Sequence, residues 1–248
     1  MGIRPKVKTG RLPDFIVVGP PRTGTTWLHY VLAGHVGLPA GIKETQFFTW
    51  NYAMGLEWYR AYFRNCPENL PAGEIAPTYF DYPEAPSRSA RHIPRCRIIC
   101  TLRDPVERVY SQYKIWHRIG LITKPFDYAR QRSQLAANNS YASNLTTWRQ
   151  TFGKENVLVV LHQDLRADPQ AYLDSICAFI GIAPIDLSLS STGAEPVNPS
   201  RQTPRSMALA RFARQLRDWL IRRRFWRLAR LIESGTPLWR LFFTGGKE

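Results

Sequence analysis

The segment Phe15-Ile16-Val17-Val18-Gly19-Pro20-Pro21-Arg22-Thr23-Gly24-Thr25-Thr26-Trp27-Leu28 constrains the fold most, because a short apolar strand empties into a glycine-bounded loop and then a helix. Gly19 and Gly24 let the backbone turn tightly with its amides exposed. A helix beginning near Thr25 directs unpaired N–H groups and positive dipole toward a bound anion. The segment predicts a phosphate cradle for a nucleotide-like ligand. Short glycine motifs also match by chance, and a glycine-rich turn with no ligand is the alternative.

The spacing is that of a Walker A loop, G-x-x-x-x-G, but Thr25-Thr26 follow where a nucleotide hydrolase carries Lys and then Ser or Thr. The positive charge sits inside the loop at Arg22, whose guanidinium can fork onto phosphate or sulfate oxygens. A second motif runs Arg97-Ile98-Ile99-Cys100-Thr101-Leu102-Arg103-Asp104-Pro105-Val106-Glu107-Arg108-Val109-Tyr110-Ser111. Again an apolar strand ends in a basic residue. Asp104 is placed to cap the following helix, and Pro105 fits its first turn. Arg103 and Ser111 are candidates to reach one anion. The other reading is that Arg103 pairs with a local carboxylate and Ser111 packs.

Together these motifs make the chain resemble the PAPS-dependent sulfotransferase family, whose donor is 3′-phosphoadenosine 5′-phosphosulfate. The resemblance implies that Arg22, Thr23, Gly24, Thr25, Thr26 and Trp27 form the 5′-phosphosulfate site, and that Arg103 and Ser111 hold the 3′-phosphate. Many members carry lysine where this chain has Arg22, and an arginine stabilises charge without giving up a proton. A third segment, Gly41-Ile42-Lys43-Glu44-Thr45-Gln46-Phe47-Phe48, is similar to the K-E-x-x-F-F stretch of the glycan-modifying branch related to heparan sulfate enzymes. That similarity implies Glu44 as the base that deprotonates an acceptor hydroxyl or amine, with Lys43 near the transferred group. An exposed ion pair is the other reading of Lys43 and Glu44. Adjacent residues point to opposite sides of a strand, so a bend is required for both to enter one site.

The resemblance also implies in-line displacement with PAP as product and no metal requirement, positioning and electrostatics carrying the chemistry. Cytosolic members of the wider family use histidine as base. His29, His35, His92, His117 and His162 do not align with that role, and each reads better as a structural or surface residue. Val197 to Arg205 is similar to a late basic loop that covers the nucleotide, with Arg201 as the contact; an exposed linker is the alternative.

The fold expectation is α/β: a P-loop-type, doubly wound, mostly parallel sheet with helices on both faces and a basic helical C-terminal segment. One domain is expected over residues 1–248, with a core over about 13–205 and the basic amphipathic segment over about 206–248. Strands are predicted at Phe15, Glu74–Ala76, the 97–102 run and Val157–Leu161. Helices are predicted over Gly55–Arg64, Ala85–His92 and Tyr141–Phe152, and from Asp168-Pro169 to Ile180 with Gly181 as the stop.

Lys and Arg total 34 against 19 acidic residues, a formal net charge of +15, which favours polyanions or anionic membrane surfaces. The excess is late, around Arg222-Arg223-Arg224 among Phe212, Leu216, Trp219 and Leu220, so this tract suits a membrane interface or packs its apolar stripe on the core. No apolar run reaches the roughly 20 residues needed to span a bilayer. Met1 to Lys8 is basic without a following hydrophobic stretch, so the expected location is cytoplasmic, at the inner membrane face. Cys66, Cys96, Cys100 and Cys177 form no metal-like spacing and read as reduced packing residues. The expected acceptor is a saccharide or glycolipid, with another small amphiphile as the variant. A P-loop kinase lacks its lysine here, and a basic membrane- or nucleic-acid-binding protein leaves both anion motifs unexplained, with no specific nucleic-acid motif present.

Overall fold

The computed structural model describes residues 10–118, 121–122, 124–127 and 140–189, with 203–204, 212, 215–216, 219 and 243–244. The chain divides into two compact units, Met1–Arg108 with Asn138–Pro196, and Val109–Ala137 with Val197–Glu248.

The first unit is built on four parallel strands, β1 (Phe15–Val18), β2 (Gly73–Ile75), β3 (Arg97–Leu102) and β4 (Val157–Leu161), in the order β2-β1-β3-β4. From β1 the chain moves out to β2, then returns past β1 to form β3 on the other side. The strand order therefore reverses between β1 and β3, and the crevice at their carboxyl ends is where open α/β sheets bind ligands. Both candidate anion loops leave the sheet there.

Alternation along the strands explains why both faces are covered. Ile16, Val18, Ile98 and Cys100 point into one core with Phe47, Phe48, Tyr59, Tyr79 and Trp148. Phe15, Val17 and Ile99 alternate to the other face and are equally buried. Among the described residues the α-helices include α1 (Thr25–Leu32), α2 (Leu56–Arg60), α3 (Ala85–His92), α4 (Pro105–Arg118), α5 (Tyr141–Phe152), α6 (His162–Ala167) and α7 (Pro169–Ile180).

Local signals set most of these ends. Asp104 Oδ1 accepts the Glu107 amide at 2.9 Å and opens α4. Asp168 Oδ1 accepts the Ala171 amide at 2.9 Å ahead of Pro169, and Gly181 at φ 80° closes α7. The helix expected over Gly55–Arg64 is shorter than one continuous element: α2 passes into a 3₁₀ turn at Ala61–Phe63, which buries Phe63. Cys96, Cys100 and Cys177 are buried free thiols, and Cys66 is a half-buried one.

In the second unit, Tyr110 and Tyr113 meet Phe126 edge-on at 5.1 and 5.2 Å, and Lys114 Nζ lies 4.9 Å from the Tyr110 ring centroid. A short antiparallel pair joins Thr203–Pro204 to Phe243–Thr244. Arg201, the remainder of the 197–205 loop, and the arginine run 222–224 lie outside the described residues. No helix among the described residues is long and apolar enough to cross a membrane.

Candidate active site

The loop between β1 and α1 is shaped by its close approach to β3. At Gly19 (φ 144°) a Cβ would fall 2.2 Å from the Thr101 carbonyl oxygen, so only glycine fits. Thr23 is fully buried; its hydroxyl donates to the Pro20 carbonyl at 3.0 Å and shares a 2.6 Å hydrogen bond with Thr101 Oγ1. Arg22 adopts φ 82°, a strained conformation for a residue with a Cβ, and Gly24 at φ 92° leads into α1 without a side-chain cap. No acidic residue occupies the first turn of α1. The amides at this end are therefore left for an anion.

This geometry sorts the predicted cradle residues by what each can offer. Thr23 and Thr25 have buried side chains, and Trp27 packs edge-on against Tyr172 with ring centroids 6.0 Å apart. These three face the core, and what remains to a ligand is their backbone. Arg22 and Thr26 are half-buried at the mouth.

Lys43 joins the loop to the next element. Its Nζ donates to Thr26 Oγ1 and to Glu44 Oε1, each at 3.2 Å. Glu44 Oε2 accepts from Gln46 Nε2 at 2.9 Å, and Gln46 Oε1 accepts from Thr78 Oγ1 at 2.6 Å. The bend that adjacent Lys43 and Glu44 require is present: the chain bends at Lys43 and Gln46 takes φ 56°. The pair is thus an ion pair, half-buried and built into the rim of the cradle.

At the end of β3, Arg103 donates to Glu107 Oε2 through Nε (3.2 Å) and Nη2 (2.9 Å), and through Nη1 to the Arg22 carbonyl at 3.4 Å. The local pairing is what the free protein holds. It pairs with a local carboxylate, and that carboxylate keeps it against the loop. Ser111 lies in the second turn of α4, half-buried and within the second unit.

The family described as "Sulfotransferase domain" matches residues 12–200, most of the chain. The chain belongs to the sulfotransferase family. Its relatives include the human bifunctional heparan sulfate N-deacetylase/N-sulfotransferases 2 and 3, at 32% and 34% identity over 199 residues. Those alignments take in 70% of this chain but only 22% and 23% of the relatives, so the sulfotransferase chain spans less than a quarter of their length. A sulfotransferase from Alicyclobacillus acidocaldarius shares the fold, with TM-score 0.65, 23% identity, and coverage of 93% of this chain and 99% of that one. Mouse sulfotransferase SULT7A1, solved complexed with PAP, superposes at TM-score 0.51 with 15% identity, covering 84% of this chain and 70% of that one.

Two residues of this sulfotransferase were not singled out for the site from the sequence. Glu74 on β2 is fully buried beneath Thr45. His162, which directly follows the predicted strand Val157–Leu161, begins α6, and a Cβ on Gly24 would lie 3.4 Å from its Cδ2. Its position after a parallel strand, like that of Arg103 after β3, was the available signal. Burial, with further help from Arg103, Arg166 and Arg22, pushes the imidazole down to about 4 against the opposing Glu107.

The unfolded chain takes a proton on His162 near 6.5 and the folded chain near about 4, so its contribution is complete above 6.5 and is lost as pH falls toward 4. The side chain is only half-buried, and solvent screening reduces the effect to about 1–2 kcal/mol. Urea unfolding at pH 7 and pH 4.5 should show this loss in the wild type and a correspondingly smaller loss in His162→Asn. Equal losses in both proteins would remove His162 as the source.

Proposed function

We propose that the chain transfers the sulfuryl group of PAPS to an amine or hydroxyl of an anionic saccharide. The single observation that carries this reading is Lys43, which bonds Thr26 of the phosphate loop and Glu44 at once, putting a basic side chain between an anion cradle and a carboxylate. The relatives named as heparan sulfate N-sulfotransferases favour a saccharide amine, and the net charge of +15 favours a polyanionic one.

The residues present fit the donor. The uncapped start of α1, the positive-φ residues Arg22 and Gly24, and the absence of acid in the first turn suit a phosphosulfate, and Arg103 suits a phosphate. Bound PAPS supplies an activated sulfuryl group on its 5′-phosphate. Glu44 accepts the proton released as the acceptor nitrogen or oxygen bonds to sulfur. Lys43, Arg22 and the loop amides stabilise the charge that collects on the departing phosphate as its bond to sulfur breaks. Lys43 and Gln46, bonded to opposite oxygens of Glu44, hold that carboxylate in place before an acceptor arrives.

Calorimetry without magnesium tests the donor: PAP should bind, and ATP and ADP should compete poorly. Labelled PAPS then tests the acceptor, with a glucosamine polysaccharide bearing free amines expected to take label and its fully N-acetylated counterpart expected to take little. No preference for the 3′-phosphorylated nucleotide would overturn the donor, and equal labelling of both polysaccharides would move the acceptor group to a hydroxyl.

A further inference from the structure

Glu74 on β2 is completely buried, the only acidic residue among the described residues that is buried as a whole. It meets four donors. Oε1 accepts the Thr45 amide at 2.6 Å and the Thr45 hydroxyl at 2.7 Å, while Oε2 accepts the hydroxyls of Tyr59 at 2.7 Å and Tyr79 at 3.0 Å. Tyr79 OH in turn accepts the Phe48 amide at 3.4 Å. The donors come from the 45–48 loop, α2 and the 3₁₀ turn Pro77–Tyr79.

Such an arrangement is costly. Taking a carboxylate out of water costs several kcal/mol, and an apolar side chain of similar volume commonly fills such a place as well or better. Burial raises the proton affinity of Glu74, and the hydrogen bonds from Thr45, Tyr59 and Tyr79 oppose that rise. Packing alone therefore does not account for a charge here.

What the charge does hold is specific. The Thr45 amide belongs to the planar peptide that carries the Glu44 carbonyl, so a hydrogen bond to that N–H fixes the rotation of the chain at Glu44 itself. The same loop presents Gln46 to Glu44 Oε2. We infer that Glu74 is a positioning residue for proton transfer: its buried carboxylate holds the Glu44–Thr45 peptide from below the loop and thereby aims the Glu44 carboxylate. This inference rests on the reading of Glu44 as the proton acceptor.

The test is a double-mutant cycle read by kinetics, with PAP calorimetry and amide hydrogen exchange alongside. Glu74→Gln should lower kcat by about tenfold, leaving KM for the acceptor and PAP affinity within about twofold of wild type. In a Glu44→Gln background the same change should cost less than about twofold, because its effect acts through Glu44. Exchange at the Thr45 amide should rise while exchange in β3 stays unchanged. Equal losses of kcat in both backgrounds, or a parallel loss of PAP affinity, would make Glu74 a fold residue only and overturn the inference. If Glu74→Gln does not fold, Thr45→Ala takes its place in the cycle, with Thr45→Ser expected to restore turnover; failure of that restoration overturns it equally. Should the wild type transfer no sulfuryl group, the functional reading falls, and the exchange comparison alone then decides whether Glu74 holds the loop.

Discussion

Glu44→Gln should reduce kcat by about 10²–10³-fold, the range in which removal of a positioned general base falls, while PAP affinity stays near its wild-type value. Glutamine keeps the size of the side chain and an oxygen for Lys43 or Gln46, so the loop 43–48 retains its anchors at Thr45, Asn51 and Tyr79. What it loses is the ability to take a proton. The change therefore separates chemistry from folding. Kinetics on the polysaccharide acceptor, with PAP calorimetry on the same sample, checks the forecast. Full turnover by the variant would exclude Glu44 as base and turn attention to the imidazole of His162 beside the loop.

Arg103→Ala should weaken PAP binding by about 10–100-fold, since a charge-assisted hydrogen bond contributes about 1.5–3 kcal/mol. The competing interaction is the pair with Glu107. That carboxylate is half-exposed (49%), and exposed ion pairs contribute about 0–1 kcal/mol, less than a phosphate contact. Glu107 can thus orient Arg103 toward the loop in the free protein without outcompeting a phosphate. Arg103→Lys should recover part of the affinity, because it keeps the charge and loses the fork. Turnover at saturating donor should fall much less than affinity in either variant. Calorimetric Kd values unchanged from wild type would show that Arg103 serves Glu107 and the Arg22 carbonyl alone.

The first strand–loop–helix unit was legible because its signals are local. Strand β1, the two glycines and the start of α1 occupy one short stretch of chain, and each follows from apolar runs and backbone permissiveness. Capping made α7 equally legible, with Asp168, Pro169 and Gly181 standing where they were expected. The same reasoning does not reach the side chains of Thr23, Thr25 and Trp27. Their place in a loop motif does not reveal which of them turn inward to Thr101 and Tyr172.

Glu74 shows the limit from the other direction. In sequence it is a polar residue at the centre of a three-residue strand, Gly73–Ile75, and nothing nearby announces four donors. Those donors come from positions between 5 and 29 residues away, brought together by packing against the sheet.

The amino-acid sequence by itself determined the parallel strand–loop–helix units, their order and the chemistry of each loop end, since these depend on periodicity, caps and turns over a few residues. Tertiary structure alone decided which loop ends meet. Lys43 reaches Thr26 across 17 residues, Thr23 reaches Thr101 across 78, and Arg103 reaches the Arg22 carbonyl across 81. Contacts at such separations follow from the strand order β2-β1-β3-β4, which is fixed by burying both faces of the sheet at once and not by any local preference.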